Sequence, residues 1–125
     1  MRIPWRLREV YWWLHIRIRD LPVRLRLGFW PHETWNLDVT IAKFVIPRLR
    51  FLRDTNCGHP THMTEEKWKA IQDEIIWALE MVEDDSRWYN IPSVVKGDYK
   101  AIHNLSDNRQ KGCILFGKYL QSFWS

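Results

Sequence analysis

The chain has 125 residues and a mass of 15.3 kDa, with 46% apolar residues, 27% charged residues, nine tryptophans and a formal net charge of +4. So high an apolar fraction excludes a disordered tail, and no collagen, coiled-coil or repeat period appears. A chain of this length can bury about two-thirds of its extended surface, so one domain over residues 1–125 is expected. Apolar runs such as Tyr11 to Leu14 and Phe44 to Ile46 fall far short of the ~20 residues of a membrane span or the ~7–15 of a secretory signal core. A soluble, non-secreted protein is the expectation.

From the N-terminus, Trp5, Leu7, Val10, Tyr11, Trp13, Leu14 and Ile18 recur at mostly three- and four-residue steps, which predicts a helix with one greasy face over 4–18, with Pro4 in its first turn. Residues 16–27 alternate apolar and basic like a strand. Pro22 and the lack of a partner strand favour instead an extension of the helix, broken near Pro22. Gly28 and Pro31 mark a turn, after which Thr34 is placed to cap a helix reaching Arg53. Pro47 lies inside that helix and should kink or briefly break it between Lys43 and Pro47. Residues 56–62 read as a loop, and Thr64 then caps a helix whose stripe is Trp68, Ile71, Ile75, Ala78, Leu79 and Val82. Residues 90–97 read as loop and Tyr99 to Leu105 as a short turn, with a last helix from Asp107 carrying Phe116, Tyr119, Leu120 and Phe123. The predicted fold is all-α: a small bundle of about four helices, one of them kinked near Pro47, with residues 1–27 as a basic Arg- and Trp-rich segment and 28–125 as the core.

Charge is unevenly placed. Residues 1–30 carry seven arginines (Arg2, Arg6, Arg8, Arg17, Arg19, Arg24 and Arg26) against Glu9 and Asp20, whereas residues 61–90 carry three basic residues against eight acidic ones. The basic segment either docks against the acidic middle helix or forms an anion site. In the second case Arg17, Arg19, Arg24 and Arg26 would grip phosphates while Trp12, Trp30 and Trp35 stack or line the surface. Trp77 and Trp124 also fit the core stripes poorly, whereas Trp68 lies on one. Asp38, in the first turn of its helix, suits the helix dipole.

Cys57, His59 and His62 give a Cys-x-His-x-x-His loop that could offer three ligands to zinc, with His103 or an acidic side chain as a fourth; incidental histidines in a turn explain the same residues. Asp73, Glu80 and Asp84 share a helix face, but it is the face opposite the apolar stripe, where solvated acids belong. Cys57 and Cys113 form no CxxC pair and are expected as reduced thiols. No nucleophile elbow or phosphate-cradling glycine loop occurs, so a non-enzymatic protein without a cofactor is expected.

Trp35-Asn36-Leu37-Asp38, Ile41-Ala42-Lys43-Phe44, Ile46-Pro47-Arg48-Leu49, Thr64-Glu65-Glu66 with Trp68, Ile75-Ile76-Trp77-Ala78-Leu79-Glu80, and Gly112 with Leu115-Phe116-Gly117-Lys118-Tyr119 and Trp124 together resemble a group of small proteins encoded by tailed bacteriophages and prophages. The resemblance covers about residues 28–124 and assigns no role to any residue. It implies a viral accessory protein in the host bacterial cytoplasm, acting on host defence. The expected function is therefore binding of an anionic partner, such as a nucleotide signal or a nucleic acid. Exposed tryptophans would serve equally as anchors on a host or phage protein, in virion assembly or in a homo-oligomer, and the basic first helix would serve peripheral membrane attachment.

Overall fold

The computed structural model describes residues 4–55 and 58–124. Its described residues contain helices and no strand, and four of the helices are long. The chain divides into two units, Met1–Leu37 and Asp38–Ser125. The division falls beyond residue 27 because the turn following the first helix packs back on that helix.

In the first unit, α1 spans Trp5–Leu27, and its C-terminus closes on Gly28 in the left-handed region (φ 84°), whose N–H donates to the Arg24 carbonyl at 3.0 Å. A 3₁₀ helix, Pro31–Thr34, follows. The break expected near Pro22 is absent. Pro22 and Ile18, the residue whose carbonyl it leaves without a backbone donor, are both exposed, so water can take that carbonyl.

In the second unit, α2 is Leu37–Thr55, α3 Glu65–Glu83, α4 Asp85–Tyr89, α5 Pro92–Val95 and α6 Tyr99–Lys118, followed by a 3₁₀ turn, Leu120–Ser122. Thr34 does not cap α2: it ends the preceding 3₁₀ helix, its hydroxyl donating to the Pro31 carbonyl at 2.7 Å. The α2 helix passes through Pro47 without interruption. Pro47 and Lys43 both lie on the solvent side while Ala42, Ile46 and Leu49 face the core, so the lost hydrogen bond costs little there. Thr64 caps α3 as expected, its hydroxyl accepting from the Lys67 N–H at 3.2 Å. The stretch 90–97 is not all loop but holds the single turn α5, begun by Pro92. The last long helix starts at Tyr99, eight residues before Asp107, because the Asp98 carboxylate accepts from the Ala101 N–H at 3.2 Å and supplies the N-cap.

Ala42, Ile46 and Leu49 of α2 meet Ile75, Ile76 and Leu79 of α3, with Leu115, Phe116 and Phe123 packed against them. Trp68 is 4% exposed and stacks on Phe123 (5.7 Å between centroids) with Tyr119 edge-on (5.5 Å), so it belongs to the core stripe. The closest approach is between α3 and α6. Gly112 is buried, and a Cβ built on it would overlap the Ala78 Cβ and sit 2.8 Å from the Glu74 carbonyl oxygen. Gly112→Ala should therefore destabilise the unit by about 1–3 kcal/mol, read as a fall in the thermal midpoint, and adding Ala78→Gly should recover part of the loss. An unchanged midpoint in the single variant would contradict this packing.

Candidate anion-binding surface

At about 100° per residue the apolar side chains of α1 do not all share one face: Trp5, Trp12, Ile16 and Leu27, all exposed, lie on the side away from Ile18. Leu7, Tyr11, Leu14, Ile18, Leu21 and Leu25 fall on one stripe, and every one of them is exposed, from 43% at Leu21 to 78% at Leu25. Asp20, on the opposite side from Ile18, is the buried residue of this helix. The helix thus buries a carboxylate and leaves its leucines outside, the reverse of the ordinary arrangement.

Three triplets place arginine on both flanks of the stripe: Arg6-Leu7-Arg8, Arg17-Ile18-Arg19 and Arg24-Leu25-Arg26. Their centres are spaced 11 and 7 residues apart, which returns each to the same side of a helix. One row holds Arg6, Arg17 and Arg24; the other holds Arg8, Arg19 and Arg26. In the first row, the Arg17 guanidinium lies 4.6 Å from the centre of the Trp30 ring and 5.4 Å from that of Trp13, Arg6 lies over Trp5 at 5.4 Å, and Arg24 donates to the Gly28 carbonyl. These contacts orient the guanidinium groups without neutralising them. In the second row, Arg19 pairs with Asp20 at 2.9 Å.

The four arginines singled out from the sequence are accordingly not gathered at one point. Arg17 and Arg24 share a flank with Trp13, and Arg19 and Arg26 share the other flank. Trp12 lies on the back of α1 with its edge toward His15 (6.2 Å), Trp30 is half-buried under Arg17, and Trp35 is exposed after the 3₁₀ helix. Arg6 and Arg8 stand in the same two rows, and the recurring Arg-apolar-Arg triplet is the signal in the sequence that marks them.

Four acids of α3, Glu65, Asp73, Glu74 and Glu80, find cations inside their own unit. Glu80 pairs with Arg50 and, at 3.4 Å, with Arg87; Asp73 pairs with Arg53; Glu74 pairs with Lys111 at 3.6 Å. Hydrogen bonds from Arg53 to Asp54 and Asp73 hold its guanidinium above its ordinary pKa. The Asp84 carboxyl is held below the usual range, chiefly by its hydrogen bonds to Ser86 as it caps α4. Glu65 is lowered by Lys69, 2.9 Å away. Asp38 is exposed in the first turn of α2.

His59 and His62 are exposed and line a cavity of about 370 Å³ with Pro60, Thr61, Ser122 and Trp124; the His59 Nδ1 is 3.0 Å from the Pro60 carbonyl oxygen. Cys57 lies outside the described residues, and with it any bridge to Cys113. Among the described residues no three metal-ligating side chains come together, and His103 is exposed on α6. Burial pushes the Cys113 thiol up, which leaves less thiolate at neutral pH. A cleft of about 440 Å³ is lined by Asp73, Glu74, Trp77, Asn108 and Lys111, and its charged groups are already paired. No helix among the described residues is long and apolar enough to cross a membrane.

No family model, curated protein or solved structure matches the chain.

The contact between Arg17 and Trp30 ties the 3₁₀ helix to α1. Arg17→Ala should speed amide hydrogen exchange at Glu33 and Trp35, both of which donate within that turn, while leaving the α3 amides unchanged. Equal exchange in both proteins would show that the ring contact does not hold the turn.

Proposed function

We propose that this protein acts by binding, without catalysis, and that α1 is its recognition element for an anionic partner. The observation that carries the reading is the arginine-apolar-arginine triplet repeated three times along one side of α1, on a helix whose acids, Glu9 and Asp20, both lie on the far side. Each flank presents guanidinium groups along a helix about 35 Å long, a spacing suited to an extended anionic surface more than to a single phosphate held in a pocket. Asp73, Glu74 and Glu80 of α3 have cations in their own unit, which supports leaving the α1 arginines for a partner. With the resemblance to small phage proteins, the proposed setting is the host bacterial cytoplasm and the proposed role is that of an accessory or counter-defence protein.

The test separates a placed charge from total charge. Affinity for anionic vesicles and for a single-stranded oligonucleotide is measured at several salt concentrations for Arg6→Gln/Arg8→Gln/Arg26→Gln and for a control of equal charge, Lys67→Gln/Lys96→Gln/Lys100→Gln. The arginine variant should lose about tenfold or more on the probe that binds, with a shallower salt dependence, and the control less than about twofold. Equal losses would reject α1 as the site.

A further inference from the structure

Resting on that reading, we infer that the anionic partner is a lipid surface, on which α1 lies in the plane of the headgroups with Leu7, Tyr11, Leu14, Ile18, Leu21 and Leu25 turned into the acyl boundary. The stripe decides between the partners the arginines would allow. On a nucleic acid, arginines pair with phosphates along the groove edges, and a continuous row of exposed apolar side chains between them would meet mostly polar base edges, with thymine methyls as the apolar exception. On an anionic bilayer the same row enters hydrocarbon while the arginines, set about 100° to either side, reach back to phosphates with their apolar stems along the boundary.

A second copy of α1 fits poorly. Pairing two such helices along the stripe would bring Arg8 and His15 on one flank and Arg17 and Arg24 on the other against their own kind, with no acid on either flank to answer them. An acidic groove on another protein would have to supply negative charge on both sides of an apolar floor over the full length of α1. A headgroup plane supplies that everywhere.

The arginine content also decides how the helix meets the bilayer. The 23 residues of α1 include six arginines, which forbids crossing and suits lying on the surface. The buried Asp20 faces away from the stripe, so insertion to the depth of the leucines leaves it out of the hydrocarbon.

Flotation of the full-length protein is compared with vesicles of phosphatidylglycerol and phosphatidylcholine, with vesicles of phosphatidylcholine alone, and in parallel with a single-stranded oligonucleotide. The protein should float with the anionic vesicles, and binding to the neutral ones should be weaker by about tenfold or more. Leu14→Gln/Ile18→Gln, at two exposed positions and without change of charge, should keep the helical circular dichroism of the parent and lose about tenfold or more in binding to anionic vesicles while retaining the arginines. If the oligonucleotide is bound and vesicles are not, the lipid inference falls and the anionic-partner reading stands; if neither is bound, both fall. Anionic-vesicle binding that the stripe variant leaves intact, or a parent dimer in sedimentation that the stripe variant abolishes, would also overturn the lipid assignment.

Discussion

The backbones of α3 and α6 come together at Ala78 and Gly112 more closely than any larger pair would permit, and residues 38–125 are organised around that approach. With no side chain between them, the Glu74 carbonyl and the α6 backbone share the space a Cβ would fill. The crossing brings Phe116 onto the α2–α3 core, and Phe123, just beyond α6, then closes over Trp68. It also sets Lys111 beside Glu74, so the packing that defines the unit helps neutralise its acidic helix. Asp73 and Glu80 of the same helix are answered from α2 and α4, by Arg50, Arg53 and Arg87. Residues 38–125 carry twelve basic and twelve acidic residues, a formal balance that residues 1–37, with seven arginines against three acids, do not share.

Those arginines are therefore best understood through α1 itself. Burial of Asp20 and exposure of Leu25 on one helix is costly as a folding solution: each large apolar side chain left in water forgoes about 1.5–3 kcal/mol of burial. A helix so arranged gains from meeting something else. On the proposed reading the triplets centred on Leu7, Ile18 and Leu25 call for an apolar layer with negative charge on both sides, and the contacts of Arg6, Arg17 and Arg24 with rings and with a carbonyl fix one row of cations without discharging it.

The elements best read from the sequence were those specified locally. Thr64 and the stripe from Trp68 to Val82 gave α3 at its true start, because a hydroxyl cap and a three-four apolar rhythm each act within a turn or two. Pro22 does not break α1 because it stands on an exposed face where the lost hydrogen bond is cheap, a fact that depends on which way the helix turns; at Pro47, likewise exposed, α2 continues without a break. The start of α6 was missed because Asp98 caps a first turn, Tyr99 to Ile102, that carries little apolar signal, and α5 because one helical turn leaves no periodicity to detect. At the candidate surface, the arginines are legible as a group, while their division between two flanks follows only once residues 5–27 form one continuous helix. Read as a strand, residues 16–27 alternate; read as a helix, the same residues divide into two cationic rows with leucine and isoleucine between them. The tight pairing of Gly112 with Ala78 joins residues 34 apart in sequence and had no local signature.

In the proposed binding mode the Leu7-to-Leu25 stripe is the face α1 gives to its partner. A nitroxide placed in turn at each position from 5 to 27, in a protein with Cys57 and Cys113 replaced by serine, reports this directly through its accessibility to dissolved oxygen on anionic vesicles. The account predicts an oscillation with a period of about 3.6 residues, with maxima at positions 7, 11, 14, 18, 21 and 25 and minima near 9, 16 and 20. A flat profile, or one whose maxima fall on the side of Asp20, would contradict it.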